Sequence, residues 1–313
     1  MSTSSTSAGG APPTAWLFPG LGSRYVGMGG DILGRFPAAD DLVRQAGDWL
    51  GYDVPAVCLG GSGRKVVPPR QEAQVIYIIS CAYAAVLRRL GYAPAFVCGH
   101  SLGSWAAGHV AGVYDFLTGL DLLTRVEDWM ESLIPPDTQG MGVVIGLPEE
   151  RVRDLCGSAG EVYLANVNSQ GQYVIAGKSA AVARVLAEAT QAGAYKVKRL
   201  PTGRAMHTPL VREVSDRLAQ ALADVPLAAP TAPLVSCHDG RLLMSAEAVR
   251  GFFSGFLALP VHWQTAQVHI LAERIRTFLE VGPATVLTDL MVFIDRTVRV
   301  RTASDLLHEV PTE

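Results

Sequence analysis

The stretch "CGHSLGSWAAG", residues 98–108, decides how this chain is read. It follows an apolar run, "AFVC" (95–98), and precedes a segment rich in Ala and Gly. Strand, sharp turn and small-residue helix form the setting in which a Gly-x-Ser-x-Gly pattern carries chemical meaning. The turn lifts the Ser101 hydroxyl clear of a sheet and aims the first helical N–H groups at an oxyanion forming beside it. Gly99 and Gly103 permit the tight bend. Elsewhere the same pattern marks nothing more than a turn serine.

Outward from this elbow the chain reads as α/β. "TAWLFPGLGS" (14–23) is a short buried strand, Ala15 to Phe18, running into a Pro/Gly turn with free N–H groups. Residues 30–90 are helical, and 94–112 hold the elbow. From Gly140 to Gly203 the order is βαββαβ, the pattern of a ferredoxin-like split unit. The expected division is a disordered tail over 1–13, a ferredoxin-like small domain over 134–202, and a large hydrolase-like α/β domain over 14–133 and 203–313. Helices alternating with short buried strands in the large part predict a parallel sheet covered on both faces.

With 313 residues there is ample core, and a formal net charge of −3 argues against nucleic-acid binding. The five cysteines are scattered and odd in number, which reads as reduced, buried thiols in a cytoplasmic protein. "AQVIYIISCAYAAVL" (73–87) comes closest to a membrane span but is closed by Arg88 and Arg89, so it reads as a buried helix. The opening residues lack the pattern of a signal peptide.

A serine needs a base to act as a nucleophile near neutral pH. Among the seven histidines, His100 is expected to turn away from the elbow. His109 lies farther along the following helix, and His238, His262, His269 and His308 read as surface or strand edge. His207, in "PTGRAMHTPL" (201–210), stands where the small domain rejoins the large one, where a cleft belongs. It is the candidate base, with a packing role as the alternative.

"FPGLGS", "GHSLGS", "AMHTPL", the inserted split domain between the last two, and "LEVGPATVLTDL" together resemble the malonyl-CoA:acyl-carrier-protein transacylases and polyketide synthase acyltransferases. The likeness covers nearly everything after the tail. It implies a Ser-His dyad with ping-pong chemistry: Ser101 is acylated, and His207 is general base and then general acid. The oxyanion hole would be the main-chain N–H groups of Leu21 and Leu102. A main-chain carbonyl would orient His207, and alignment through "PVHW" (260–263) points to Leu257. Asn166 matches an asparagine lining the family's cleft.

Departures from the pattern bear on the substrate. Extender-loading relatives carry an arginine 25 positions after the nucleophile, to grip the malonyl carboxylate; here that position is Val126. Arg125, one residue away, is rotated by about 100° on a helix. Leu122, Leu123, Val126, Met130 and Leu133 form an apolar stripe, with Glu127, Asp128 and Glu131 expected elsewhere. Val126 is then ordinary core or the floor of an apolar acyl pocket, and Met206 an adaptable residue at its mouth. A dicarboxylic acyl group would lack a cation. Among relatives without the arginine, the chain resembles stand-alone acyltransferases that pass an aminoacylated β-amino acyl (dipeptidyl) unit between acyl carrier proteins in polyketide and antibiotic biosynthesis. A thioester hydrolase using the same dyad is the rival, with malonyl transfer behind both.

The resemblance implies acidic acyl carrier proteins as donor and acceptor, each presenting a phosphopantetheine arm as substrate. No bound cofactor, metal, nucleic acid or membrane enters this picture. Arg153, Arg204, Met206, Arg296, Arg299 and Arg301 are candidates for the docking surface, although each arginine alone also reads as an ordinary solvated charge.

Overall fold

A computed structural model describes residues 12–60 and 66–310. The tail expected over 1–13 lies outside the described residues except for Pro12 and Pro13.

Two sheets organise the chain. The larger has six strands in the order β10-β9-β1-β2-β7-β8. They are β1 (Thr14–Phe18), β2 (Phe96–Gly99), β7 (Leu234–Val235), β8 (Leu242–Leu243), β9 (Thr277–Glu280) and β10 (Arg299–Thr302). All pairs are parallel except β7 with β8. The smaller sheet is antiparallel, in the order β4-β5-β3-β6: β3 (Gln139–Ile145), β4 (Val162–Ser169), β5 (Gln172–Lys178) and β6 (Lys196–Arg199). Each strand pair linked through a helix is separated by one other strand, which is the split βαβ arrangement.

Helices α1 (Pro37–Leu50), α2 (Val54–Leu59), α3 (Pro69–Arg89), α4 (Gly103–Val110) and α5 (Phe116–Leu133) precede the small sheet. Within it run α6 (Glu149–Ala159) and α7 (Ser179–Gln191). After it come α8 (Arg212–Ala223), α9 (Ala246–Gly255), α10 (Trp263–Ala272), α11 (Val286–Ile294) and α12 (Ala303–His308).

The apolar runs explain the layering. Ala15 through Phe18 are all buried, as a central strand covered on both faces requires. One face supports a core of residues from α1, α3, α4, α5, α8 and α9, including Trp105, Phe253 and Phe256; the other is covered by residues of α10 and α11, including Trp263 and Leu287. The 73–87 stretch is buried nearly all round within α3, and no helix among the described residues is long and apolar enough to cross a membrane. All five cysteines are free and buried.

Two features of this layout position a site. Chain order reverses beside β1, where β2 lies on one side and β9 on the other, so the carboxyl ends of these strands open a crevice. The small sheet has α6 and α7 on one face. Its other face, through Met141, Ala165, Val174 and Ala176, packs on Ala205 and the partly buried Met206 and Leu210.

Candidate active site

Ser101 sits where β2 turns into α4, in left-handed backbone at φ 53°. A non-glycine residue in that region carries roughly 1–3 kcal/mol of strain, so neighbouring contacts must hold it. Glycines make those contacts possible. A Cβ on Gly103 would lie 2.0 Å from the Phe18 carbonyl oxygen, one on Gly99 2.2 Å from the Ser104 nitrogen, and one on Gly20 2.6 Å from the His100 oxygen. The "FPGLGS" turn is thereby pressed against the elbow. Register agrees, because Phe18 pairs with Gly99.

This approach brings Leu21 beside Ser101's turn. Neither the Leu21 N–H nor the Leu102 N–H donates to a main-chain acceptor among the described residues. Leu21 itself is 42% exposed.

His207 is fully buried and also left-handed, at φ 64°. Its Nε2 lies 2.7 Å from Ser101 Oγ. Its Nδ1 lies 3.1 Å from the Phe256 carbonyl oxygen and 3.0 Å from that of Leu259. Carbonyl oxygens only accept, so Nδ1 carries the proton and Nε2 offers its lone pair to the serine hydroxyl. Burial pushes the His207 pKa down to about 3, with His238 and His100 adding to the effect and the two carbonyls opposing it. The ring is neutral at pH 7, which is the form a base requires.

The expected orienting carbonyl is corrected. Leu257 O accepts the His207 main-chain N–H at 2.8 Å, while the ring goes to Phe256 and Leu259. A turn between them, Ala258 N–H to Gly255 O, sends successive carbonyls in different directions. Leu257 itself is buried and holds the backbone of His207.

His100 behaves as expected. Its Nε2 contacts Asn168 Oδ1 at 2.9 Å, and its ring meets Trp263 edge-on. Asn166 is buried on β4, its Oδ1 has no hydrogen-bond partner among the described residues, and its backbone bridges to Val261. His238 is not at the surface: its ring centroid lies 6.3 Å from that of His207. Nothing in "SCHDG" signals that closeness.

On α5, Leu122, Leu123, Val126 and Met130 are buried in the core. Arg125 pairs with Asp121 and lies over Trp129, away from them. Glu127, expected elsewhere, is buried too and pairs with Arg204, whose side chain is only 14% exposed. Arg204 is therefore corrected from a docking cation to half of an internal ion pair. Burial raises the Glu127 pKa, and Arg204 opposes that shift.

A groove of about 430 Å³ contains His207 together with Arg153, Cys156, Leu164, Arg212 and Pro260. Arg153 stands at this groove, bonded to Glu149 at 2.6 Å. Arg296 and Arg299 are exposed at the β10 edge of the large sheet, while Arg301 pairs with Glu309. Among the described residues, no group of His, Cys, Asp and Glu is arranged to hold a metal ion.

The acyl transferase domain model matches residues 15–305. The malonyl CoA-acyl carrier protein transacylase of Escherichia coli K12 is 34% identical over 280 residues, 88% of this chain and 91% of that protein. Polyketide biosynthesis protein ThaF of Burkholderia thailandensis is 32% identical over 88% of this chain and 24% of its own length. Among solved structures, the malonyl CoA-acyl carrier protein transacylase of Coxiella burnetii superposes with a TM-score of 0.90 at 31% identity, covering 95% of this chain and 96% of that one. A malonyl-transacylase in complex with a type II polyketide synthase acyl-carrier protein gives 0.89 at 32%, covering 93% and 95%. The chain is an acyl-transferring enzyme and belongs to the malonyl-CoA:acyl-carrier-protein transacylase and polyketide synthase acyltransferase family.

Proposed function

We propose that this enzyme passes an aminoacylated β-amino acyl (dipeptidyl) unit between acyl carrier proteins in polyketide biosynthesis, through an ester on Ser101. The observation that carries the mechanism is the 2.7 Å contact between Ser101 Oγ and His207 Nε2, with Nδ1 fixed on two carbonyls.

As Oγ attacks the thioester carbonyl carbon, its proton moves to His207 Nε2. The Leu21 and Leu102 N–H groups take the developing oxyanion, and helix α4 starts at the same point. Collapse breaks the C–S bond, and the imidazolium returns the proton to the departing phosphopantetheine thiolate. A second carrier's thiol then repeats the sequence against the acyl-serine, releasing Ser101. The buried ring disfavours a lasting imidazolium, while the Phe256 and Leu259 carbonyls support it during the step.

Substrate choice follows from charge. α5 presents valine at 126 with Arg125 engaged by Asp121, and Arg204 is neutralised by Glu127. A malonyl carboxylate would have no free guanidinium from these residues and would bear the desolvation cost of an unpaired charge. A neutral or cationic acyl end avoids that cost. Acidic carriers would dock at the His207 groove, which Arg153 lines, with Met206 next to His207 in the chain and Arg296 and Arg299 exposed elsewhere on the surface. Five buried free thiols fit a reducing, cytoplasmic setting.

The second reading is malonyl transfer, favoured by the 34% identity to a malonyl CoA-acyl carrier protein transacylase. One assay decides between them. An unloaded acceptor carrier is incubated with enzyme and either malonyl-CoA or a dipeptidyl carrier, and the products are weighed. Dipeptidyl transfer with little malonyl transfer is expected; the reverse assigns malonyl, and free acid without loaded acceptor assigns hydrolysis.

A further inference from the structure

The segment Phe256–Val261 directs its carbonyls at working groups. Phe256 O and Leu259 O hold the His207 ring, and Leu257 O holds its main-chain N–H. Val261 is tied to β4 on both sides, donating to Ala165 O and accepting from Val167 N–H, each at 2.8 Å. Between these anchors lie the half-exposed Leu259 and the partly buried Pro260, and proline has no N–H to donate. What fixes this stretch is a side chain. His238 Nδ1 lies 2.7 Å from Pro260 O.

The rest of the His238 ring has little other polar business. Its Nε2 is buried and has no hydrogen-bond partner among the described residues. The ring packs 5.2 Å from Phe252 and 6.4 Å from Phe256, and the Phe256 ring in turn lies 6.3 Å from His207. The Cys237 carbonyl next to it accepts the His262 N–H at 2.8 Å, so the turn bearing His238 is itself joined to the far end of the same segment.

We infer that His238 is a positioning residue for His207: by donating from Nδ1 to the Pro260 carbonyl it holds the adjacent Leu259 carbonyl where the base needs it. It touches neither substrate nor Ser101. The inference rests on the reading of His207 as general base. Loss of the donor frees Leu259 to swing toward solvent, leaving the His207 ring with one orienting carbonyl instead of two.

The test compares His238→Leu, which removes the donor, with His238→Asn, whose side-chain amide keeps one at similar reach. Steady-state transfer and the rate of Ser101 acylation are measured for both and for wild type, with circular dichroism to check folding. The leucine variant is expected to lose about 10- to 100-fold in kcat with the carrier KM little changed, the scale of a misplaced catalytic group. The asparagine variant is expected within about threefold of wild type, because the hydrogen bond survives. A folded leucine variant losing less, or equal losses in both, overturns the inference. Should the leucine variant not fold, the asparagine variant decides, and a loss in kcat beyond about threefold overturns it. Absence of acyl-Ser101 in wild type overturns the general-base reading and this inference with it; an adduct there with an undiminished leucine variant overturns this inference alone.

Discussion

Ser101 and His207 stand 106 positions apart in the chain, yet Oγ and Nε2 meet at 2.7 Å, and both residues are held in left-handed backbone. Each is braced from a different direction. The elbow is pressed by the turn after β1, and the histidine is held by the Phe256–Val261 segment. The contact between the two side chains therefore depends on close backbone approaches around each of them.

The tightest approach is at Gly103, where an added Cβ would sit 2.0 Å from the Phe18 carbonyl oxygen. Backbone must move to admit it. Gly103→Ala is expected to cost about 1–3 kcal/mol in urea unfolding. It should also slow Ser101 acylation by roughly 10-fold or more, because Leu21 and Ser101 move apart. A substrate-dependent loss in KM alone would disagree.

Glu127 and Arg204 form an ion pair with side chains 5% and 14% exposed. Removing one partner strands the other, so Arg204→Leu is expected to destabilise the protein by about 3–5 kcal/mol. Glu127→Leu combined with Arg204→Leu should recover most of that loss. Chemical denaturation of the two single variants and the double variant, as a mutant cycle, measures it.

How much of this was legible depends on where each signal lies. The elbow and the βαββαβ order were readable because local spacing encodes them: glycines around Ser101, and apolar periods in strands and helices. His207 was reachable through its place in the chain order. Glu127 was misplaced because, although apolar Leu123, Val126 and Met130 flank it, its burial depends on an arginine 77 residues away. His238 and the true carbonyl partners of His207 were out of reach, since both arise from how one turn folds back upon another.

Acidity gives a third check. His207 titrates at about 3 in the folded protein against an ordinary 6.5, mainly through burial. The unfolded chain therefore takes up a proton at this residue at higher pH than the native one. Stability from this group is present above pH 6.5 and is lost as pH falls through that value toward 3. kcat/KM for acylation should show no acidic limb between about pH 7 and 5, the range in which an unperturbed histidine loses its base form. A pH–rate profile with a limb near 6.5 would disagree with a buried neutral ring.

Arg153 stands at the groove containing His207. Reversing its charge, alone or with Arg299, is expected to raise the KM for the carrier substrate several-fold and leave a small acyl thioester little affected, since a rim charge acts on encounter. Parallel kinetics on the two substrates provide the comparison.

Ser101 is expected to carry the acyl group. Intact-mass and peptide mapping of the wild-type enzyme, quenched after mixing with a dipeptidyl thioester, are predicted to place the acyl mass on the peptide containing Ser101 and nowhere else. Ser101→Ala should show neither adduct nor turnover. Full turnover in Ser101→Ala, or an adduct on another residue, would exclude Ser101 as the acylated nucleophile.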